Sequence, residues 1–309
     1  MMLSKIRKMV TITLVTMAIL FVLSLFLLGQ AVKNFISGDD DQLANFASKN
    51  IKDLIAVVEV TGVILDSQKV IENLISAEKN SQIKAIIVRV DSPGGAVGPS
   101  QEIYQEILRI DKIKPVYSSM GSVAASGGYY ICAATRRIYA NAGTLTGSIG
   151  VIMQLVDLSK LYAFAKINPS TIKSGNYKDA GNTTRPLTEK EKGLLQGVTD
   201  SVHHQFIRDI LAVRKKKIVA NMSELAQGQI FSGEEARKLG LIDREASLWT
   251  AGREIHQELK LNGDFQLLFI KKHKNKFNWS EFFNSLDDSV AFIKKLGGLG
   301  QIPLLLYNI

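Results

Sequence analysis

The chain has 309 residues, 46% of them hydrophobic, which suffices for one large domain or two small ones with a buried core. Its single cysteine, Cys132, excludes an internal disulfide framework and is interpreted as a small buried core residue. The formal net charge is +9, yet no nucleic-acid-binding motif accompanies the basic clusters. We therefore expect no nucleic-acid partner. An anionic membrane surface suits this charge better, although a solvated helix face is the favoured interpretation of Arg214–Lys217.

The first candidate element is an uncharged apolar run from Val10 to Leu28. Its 19 residues cover roughly 30 Å as a helix, about the thickness of a bilayer's hydrocarbon core. Lys5, Arg7 and Lys8 precede the run, so the positive-inside rule places the N-terminus in the cytoplasm. The sequence thus predicts a single-pass signal-anchor in the inner (cytoplasmic) membrane, with everything after Gln30 on the periplasmic or extracytoplasmic side. Cleavage of the anchor stays open.

Residues 31–50 are polar and acidic and are interpreted as a linker. Beyond them, two almost continuously apolar runs, Ile55–Val60 and Ala85–Val90, predict strands covered on both faces. Helical segments alternate with these and later strands, the order that is typical of βα units around a parallel sheet. Glu189–Val213 predicts a long helix that Thr188 and Glu191 would cap.

The domain organisation follows from these patterns. We expect a cytoplasmic N-terminus and anchor over 1–30, a linker over 31–50, one α/β domain over 51–262 and a tail over 263–309. The tail mixes lysines with aromatic residues. It is therefore interpreted either as an interfacial helix or as a segment that braces an oligomer.

Two glycine-rich stretches carry candidate chemistry. Asp91-Ser92-Pro93-Gly94-Gly95 ends a predicted strand, and its glycines can turn backbone N–H groups towards an oxyanion. In MGSVAASGGYY, Ser126 stands where a helix should begin, beside the Gly127 N–H. Because Ala124 replaces the first glycine of a G-x-S-x-G frame, an ordinary α/β-hydrolase is not indicated. Ser122, in the same stretch, is interpreted as structural.

A serine nucleophile needs a base. The four histidines, His203, His204, His256 and His273, stand in no recognisable motif. A better candidate lies in KSGNYKDA, because a lysine can serve as a base once burial and hydroxyl neighbours favour its neutral form. Ser148, in LTGSIG, could supply such a hydroxyl.

These motifs, SPGG, MGSVAASGGYY, LTGSIGV and KSGNYKDA with TRPLTEKEK, together resemble the signal peptide peptidase A family in order and spacing. The similarity spans roughly Ile55–Asp243, and the single set of motifs fits the family's short form. The resemblance implies an α/β, crotonase-like (Clp-protease-like) spiral of βαβ units behind a transmembrane helix.

The resemblance also assigns roles within a Ser–Lys dyad. Ser126 falls on the nucleophile and Lys178 on the general base, while Lys173 matches a family lysine that is not the base. Ser148 falls on the serine that hydrogen-bonds the lysine, and Gly95 on an oxyanion donor, for which the Gly127 N–H is the natural second. No metal or organic cofactor is indicated.

The implied activity is hydrolysis of cleaved signal peptides and other unfolded peptides near the membrane. The implied assembly is a ring-like homo-oligomer in which neighbouring protomers contribute Ser126 and Lys178 to one active site. Three alternatives stay open: an acyl-CoA-processing crotonase enzyme, a catalytically inactive membrane scaffold, and a protease whose base is His203 or His204.

Overall fold

The computed structural model describes residues 53–270, together with Leu23 and Ser24. In this part of the chain no helix is both long and apolar enough to cross a bilayer. The anchor predicted over Val10–Leu28 lies outside the described residues apart from Leu23 and Ser24, and most of the predicted tail lies outside them too. Residues Ile51–Lys271 form one compact unit.

One eight-stranded sheet organises this unit. Its strands are β1 (Leu54–Thr61), β2 (Ile83–Ser92), β3 (Val116–Ala125), β4 (Ile138–Ala140), β5 (Leu145–Gly147), β6 (Ile230–Ser232), β7 (Arg244–Glu245) and β8 (Leu267–Phe269). The main order is β6-β5-β3-β2-β1-β8, and β4 joins β3 to β7. All pairs are parallel except β5 with β6.

Helices connect the strands. They are α1 (Gln68–Lys79), α2 (Val97–Asp111), α3 (Gly127–Ala133), α4 (Ser159–Phe164), α5 (Glu189–Arg214), α6 (Met222–Leu225), α7 (Gly233–Lys238) and α8 (Leu248–Glu258). The alternation of strands and helices predicted from the sequence is confirmed, and the fold is mixed α/β. The sequence did not predict α8 or β8, although β8 pairs with β1 at an edge of the sheet.

The core lies on both faces of the sheet because β1 and β2 are apolar at almost every position. One face, including Val57, Ile87 and Tyr117, packs against Leu248, Ala251 and Ile255 of α8. Residues of opposite parity point to the other face, where α1, α2 and α3 contribute buried residues of their own. Burial of these side chains supplies the main driving force for folding and holds the carboxyl ends of β2 and β3 side by side.

The long helix α5 is only partly packed on this core. Thr188 and Glu191 form the predicted capping box at its start. Phe206, Ile210 and Arg214, in its second half, are buried, whereas most of its first half is exposed. The preceding residues 151–188, which we call the arm, are also largely exposed.

Candidate active site

The turn between β3 and α3 places Ser126 at the carboxyl end of a central strand. Ser126 has φ 53° and ψ −120°, a conformation that non-glycine residues seldom adopt. Its backbone N–H donates to the Gly147 carbonyl oxygen at 2.9 Å, and its carbonyl oxygen accepts from the Tyr130 N–H at 2.9 Å. Such a turn costs on the order of 1–3 kcal/mol and is found where a serine is presented on a strand-to-helix elbow. The sequence, which lacks the G-x-S-x-G frame, did not predict this elbow.

A bulge in β3 leads into the elbow. Val90 pairs with Met120 and Ser92 with Ala124, so β3 uses two more residues than β2 over this stretch. The Asp91 carboxylate accepts from the Val123 N–H at 3.0 Å. Gly121 lies so close that a Cβ there would be 2.6 Å from the Asp91 Cγ. The small residues of GSVAA therefore build the bulge.

Arg89 stabilises the same bulge from β2. Its guanidinium donates to the Met120 oxygen at 2.7 Å and to the Ser119 hydroxyl at 2.9 Å. The backbone groups that the bulge removes from the ladder thus find side-chain partners, which explains how a central strand tolerates the distortion.

The two predicted oxyanion donors, Gly95 and Gly127, lie side by side. A Cβ built on Gly127 would be 3.4 Å from the Gly95 nitrogen. Within the described residues, neither N–H donates a hydrogen bond to the protein. Gly95 packs on Ile64, where a Cβ would lie 2.1 Å from the Ile64 oxygen, so only glycine fits there. Two free donors beside the Ser126 hydroxyl are what a tetrahedral oxyanion requires.

A cavity of about 410 Å³ opens beside these groups. Ser126, Ser148, Gly95 and Gly127 contribute to its wall. Its apolar and aromatic lining consists of Pro93, Val97, Tyr130, Val151, Ile152, Val202 and Phe206. The cavity therefore suits an apolar side chain placed next to a serine hydroxyl.

Tyr130 is built into the cavity wall by aromatic and polar contacts. Its ring stacks on Tyr104 at 4.7 Å between centroids and meets Phe206 edge-on at 4.8 Å. Its hydroxyl donates to Asp209 on α5. Burial, reinforced by that carboxylate, raises the pKa of Tyr130, so the phenol stays protonated and neutral. The sequence did not predict a role for Tyr130 or Asp209.

Ser148 follows β5 and faces the same cavity. It has φ 49°, and its N–H donates to the Gln229 oxygen at 2.6 Å. Within the described chain, the hydroxyls of Ser126 and Ser148 have no hydrogen-bond partner. The structure thus brings together four of the five predicted site residues, namely Ser126, Ser148, Gly95 and Gly127.

Lys178 is the fifth, and it is not among the residues that line the cavity. It lies exposed in the arm, and its ammonium group has no partner within the described residues. The next residue, Asp179, is instead tied to Lys173 and Arg185. A single copy of the chain therefore does not join Lys178 to Ser126.

The histidines also lie outside the cavity lining. His203 and His204 are neighbours on α5, with their ring centroids 6.5 Å apart, and His256 packs edge-on against Phe265 at 6.0 Å. His273 lies outside the described residues. Nor does the described chain hold a cluster of three or more side chains able to bind a metal ion.

Comparison with known proteins gives two matching family models. The model of Peptidase family S49 matches residues 109–262, and that of Clp protease matches residues 48–146. A putative protease of Synechocystis sp. is 38% identical over 203 residues, which cover 64% of this chain and 73% of that protein.

Two further relatives have more specific names. The chloroplastic serine protease SPPA of Arabidopsis thaliana is 36% identical over 84% of this chain and 39% of its own length. A putative signal peptide peptidase SppA of Enterococcus faecium is 31% identical over 67% of this chain and 64% of its own length.

The parallel sheet, the serine elbow and the Clp protease match define the class as a Clp-protease-like serine protease. Within that class the chain belongs to Peptidase family S49, the family of the SppA proteins. The resemblance seen in the motifs is thereby confirmed.

Proposed function

We propose that the protein is a membrane-anchored serine endopeptidase in which Ser126 is the nucleophile and Lys178 is the general base. The observation that carries the proposal is the Ser126 elbow, which opens into an apolar cavity beside two unengaged glycine N–H groups. Every group needed for acyl transfer except the base is present there in one copy of the chain.

The steps follow from this placement. The neutral amine of Lys178, oriented by the Ser148 hydroxyl, takes the proton of Ser126 while its Oγ attacks the peptide carbonyl. The N–H groups of Gly95 and Gly127 hold the tetrahedral oxyanion. The protonated lysine then gives its proton to the leaving amine, and the same lysine activates the water that cleaves the acyl-enzyme.

The base comes from a neighbouring copy in this proposal. Asp179 is tied through Arg185 to Glu191 at the start of α5, whereas Val202 of the same helix lines the cavity. The helix from Glu191 to Val202 spans roughly 16 Å. Because Lys178 adjoins Asp179 at one end of this span and the cavity lies at the other, Lys178 is separated from its own Ser126. A head-to-tail ring would bring each lysine to the next copy's serine.

The arm supplies a second argument for assembly. Ile152, Phe164 and Ile172 are 90%, 86% and 101% exposed, a degree of apolar exposure that favours burial against another copy. Packing beside the neighbour's Ser148 would also remove Lys178 from water, which favours the neutral amine that a base requires.

The proposed substrates are apolar, unfolded peptides, including cleaved signal peptides. The apolar lining of the cavity supports this class, as does the name of the Enterococcus faecium relative. Anchoring through Val10–Leu28 with a cytoplasmic N-terminus would hold the catalytic domain on the outer side of the inner membrane. Membrane extraction and protease accessibility in cells would test that topology.

The decisive test is complementation between inactive variants. Ser126→Ala and Lys178→Ala are each expected to abolish cleavage of an apolar fluorogenic peptide by the full-length protein in detergent. When the two variants are co-expressed, about a quarter of the composite sites would regain both groups, because serine and lysine come from different copies. Activity in neither the wild type nor the mixture would favour the inactive scaffold.

Other outcomes separate the remaining alternatives. If the wild type is active but the mixture is dead, the dyad lies within one copy. If Lys178→Ala alone keeps full activity, the lysine is not the base, and His203→Ala and His204→Ala become the next variants to measure.

A further inference from the structure

A cluster of four charged side chains surrounds the backbone next to Lys178. Arg185 donates from its Nε to Asp179 at 3.1 Å, and its Nη2 lies 2.9 Å from the other Asp179 oxygen. Lys173 binds the same carboxylate and donates to the Asn176 oxygen at 3.0 Å. Lys173 and Arg185, which lie on either side of Lys178 in the sequence, are therefore both tied to Asp179.

The same guanidinium also binds the start of α5. Its two terminal nitrogens donate to the Glu191 oxygens at 2.9 and 2.6 Å. Glu191 in turn accepts from the Thr188 N–H at 2.9 Å as part of the capping box. Arg185 thus joins the helix terminus to the residue that follows Lys178.

Burial within the cluster contrasts with its surroundings. The side chains of Asp179 and Glu191 are only 9% and 4% exposed, although most of the neighbouring arm is exposed. No apolar side chain of the arm is buried and most are exposed, so the arm has no apolar core of its own to fix its conformation. A planar guanidinium that binds two carboxylates at once is the strongest local restraint available.

We propose that Arg185 is a positioning residue for the general base, because it fixes the backbone at Asp179 and thereby the direction in which Lys178 leaves the arm. This inference rests on the proposed function, which makes Lys178 the base. In this proposal Arg185 acts through Lys178 on the proton transfer, not on substrate binding.

The experiment compares Arg185→Gln and Arg185→Lys with Arg244→Gln in the full-length protein. Arg244 also pairs with a carboxylate, Glu254, at 3.1 Å, but on β7 and outside the cavity lining, which makes its variant a matched control. Arg185→Gln should lower kcat between about tenfold and 100-fold with little change in KM, since misplacing a catalytic group by 1 Å can cost that much. Arg185→Lys should recover only part of the loss, because an ammonium cannot bridge both carboxylates in the same plane.

Two further readouts separate positioning from general destabilisation. The acid limb of the kcat profile should move to higher pH in Arg185→Gln, because a less confined amine is more open to water. Asp179→Asn should have a similar effect, and the double variant should be no worse than either single one, since both changes break the same link.

Several results would overturn the inference. One is a wild-type kcat in Arg185→Gln while Lys178→Ala is inactive, which would remove the positioning role and leave the dyad standing. Another is a loss of kcat that follows only a loss of assembly, as measured by sedimentation. Full activity of Lys178→Ala would remove both the base assignment and the positioning role at once.

Discussion

Gly95 and Gly98 stand three residues apart, and the space around them differs completely. A Cβ at Gly95 would lie 2.1 Å from the Ile64 oxygen, whereas a Cβ at Gly98 would meet nothing within 4 Å. The sequence predicted Gly95 as an oxyanion donor but gave no sign that Ile64, which follows β1, packs directly on it. The close packing at Gly95 is set by Ile64, which is distant from it in the sequence.

We expect Gly95→Ala to lower kcat by about 10²–10³-fold, the usual effect of losing one oxyanion donor. The added methyl group must displace the backbone from Ile64 and so turn the Gly95 N–H away from the oxyanion. Peptide hydrolysis measured with both variants checks this. Gly98→Ala, the control, should keep wild-type activity, because a Cβ there would meet no atom within 4 Å other than those of its two chain neighbours and its own helix backbone. Equal activity in the two variants would contradict the assignment of Gly95.

The stability of the arm should depend on pH, and the pKa of Glu191 gives the direction of that dependence. The Arg185 guanidinium, aided by the Thr188 N–H, lowers the pKa of Glu191 from 4.5 to about 2. The stability that the ionised Glu191 contributes through Arg185 and Thr188 is therefore complete above about pH 4.5. It is lost as the pH falls towards 2, where the carboxylate of the folded protein takes up its proton. The protection of the amide hydrogens at residues 173–191, corrected for the intrinsic pH dependence of exchange, should fall over that range in wild type. Glu191→Gln should show low protection already at neutral pH; protection equal to that of wild type would refute this.

At the scale of elements, the β3 bulge connects the sheet to the serine elbow. The pattern PVYSS predicted the beginning of this strand. The small residues that follow could serve either close packing or a reactive serine, and the sequence did not decide between the two roles. Both apply in the structure: Gly121 makes room for Asp91, and Ser126 follows at the end of the same strand. The extra residues of the bulge were not predictable, because only the register against β2 reveals them.

Gly121→Ala should therefore destabilise the fold by about 1–3 kcal/mol, the usual cost of overpacking. It should also reduce hydrolysis, since the displaced Asp91 no longer accepts from the Val123 N–H and the end of β3 loses its direction. Thermal unfolding and kcat should change together. Gly143→Ala, where a Cβ would meet nothing within 4 Å, is the matched control and should change neither. An unaltered melting temperature in Gly121→Ala would argue against a tightly packed bulge.

At the scale of the whole molecule, the arm is the least packed part of the described chain and carries the proposed base. Phe164 on α4 is 86% exposed, and none of the residues that the structure describes covers it. Exposed apolar residues of this size are expected to be buried when copies assemble.

Phe164→Asp should weaken assembly and lower activity in parallel, because a carboxylate buried at an apolar interface without a partner is costly. Sedimentation and peptide hydrolysis over a range of protein concentrations would show both effects. Val219→Asp, at a position 75% exposed outside the arm, serves as the control and should leave assembly intact. Normal assembly of Phe164→Asp would place the interface elsewhere.

The sequence by itself determined the α/β alternation, the cap of α5 and the glycines and serines of the site, because these depend on local periodicity and on short motifs. Only the tertiary structure decided the φ of Ser126, the β3 bulge and the pairing of β8 with β1. It also decided that Lys178 lies apart from its own Ser126, tied through Arg185 to the start of α5. Register, backbone strain and the distance between two motifs depend on contacts between residues far apart in the chain, which no local pattern contains.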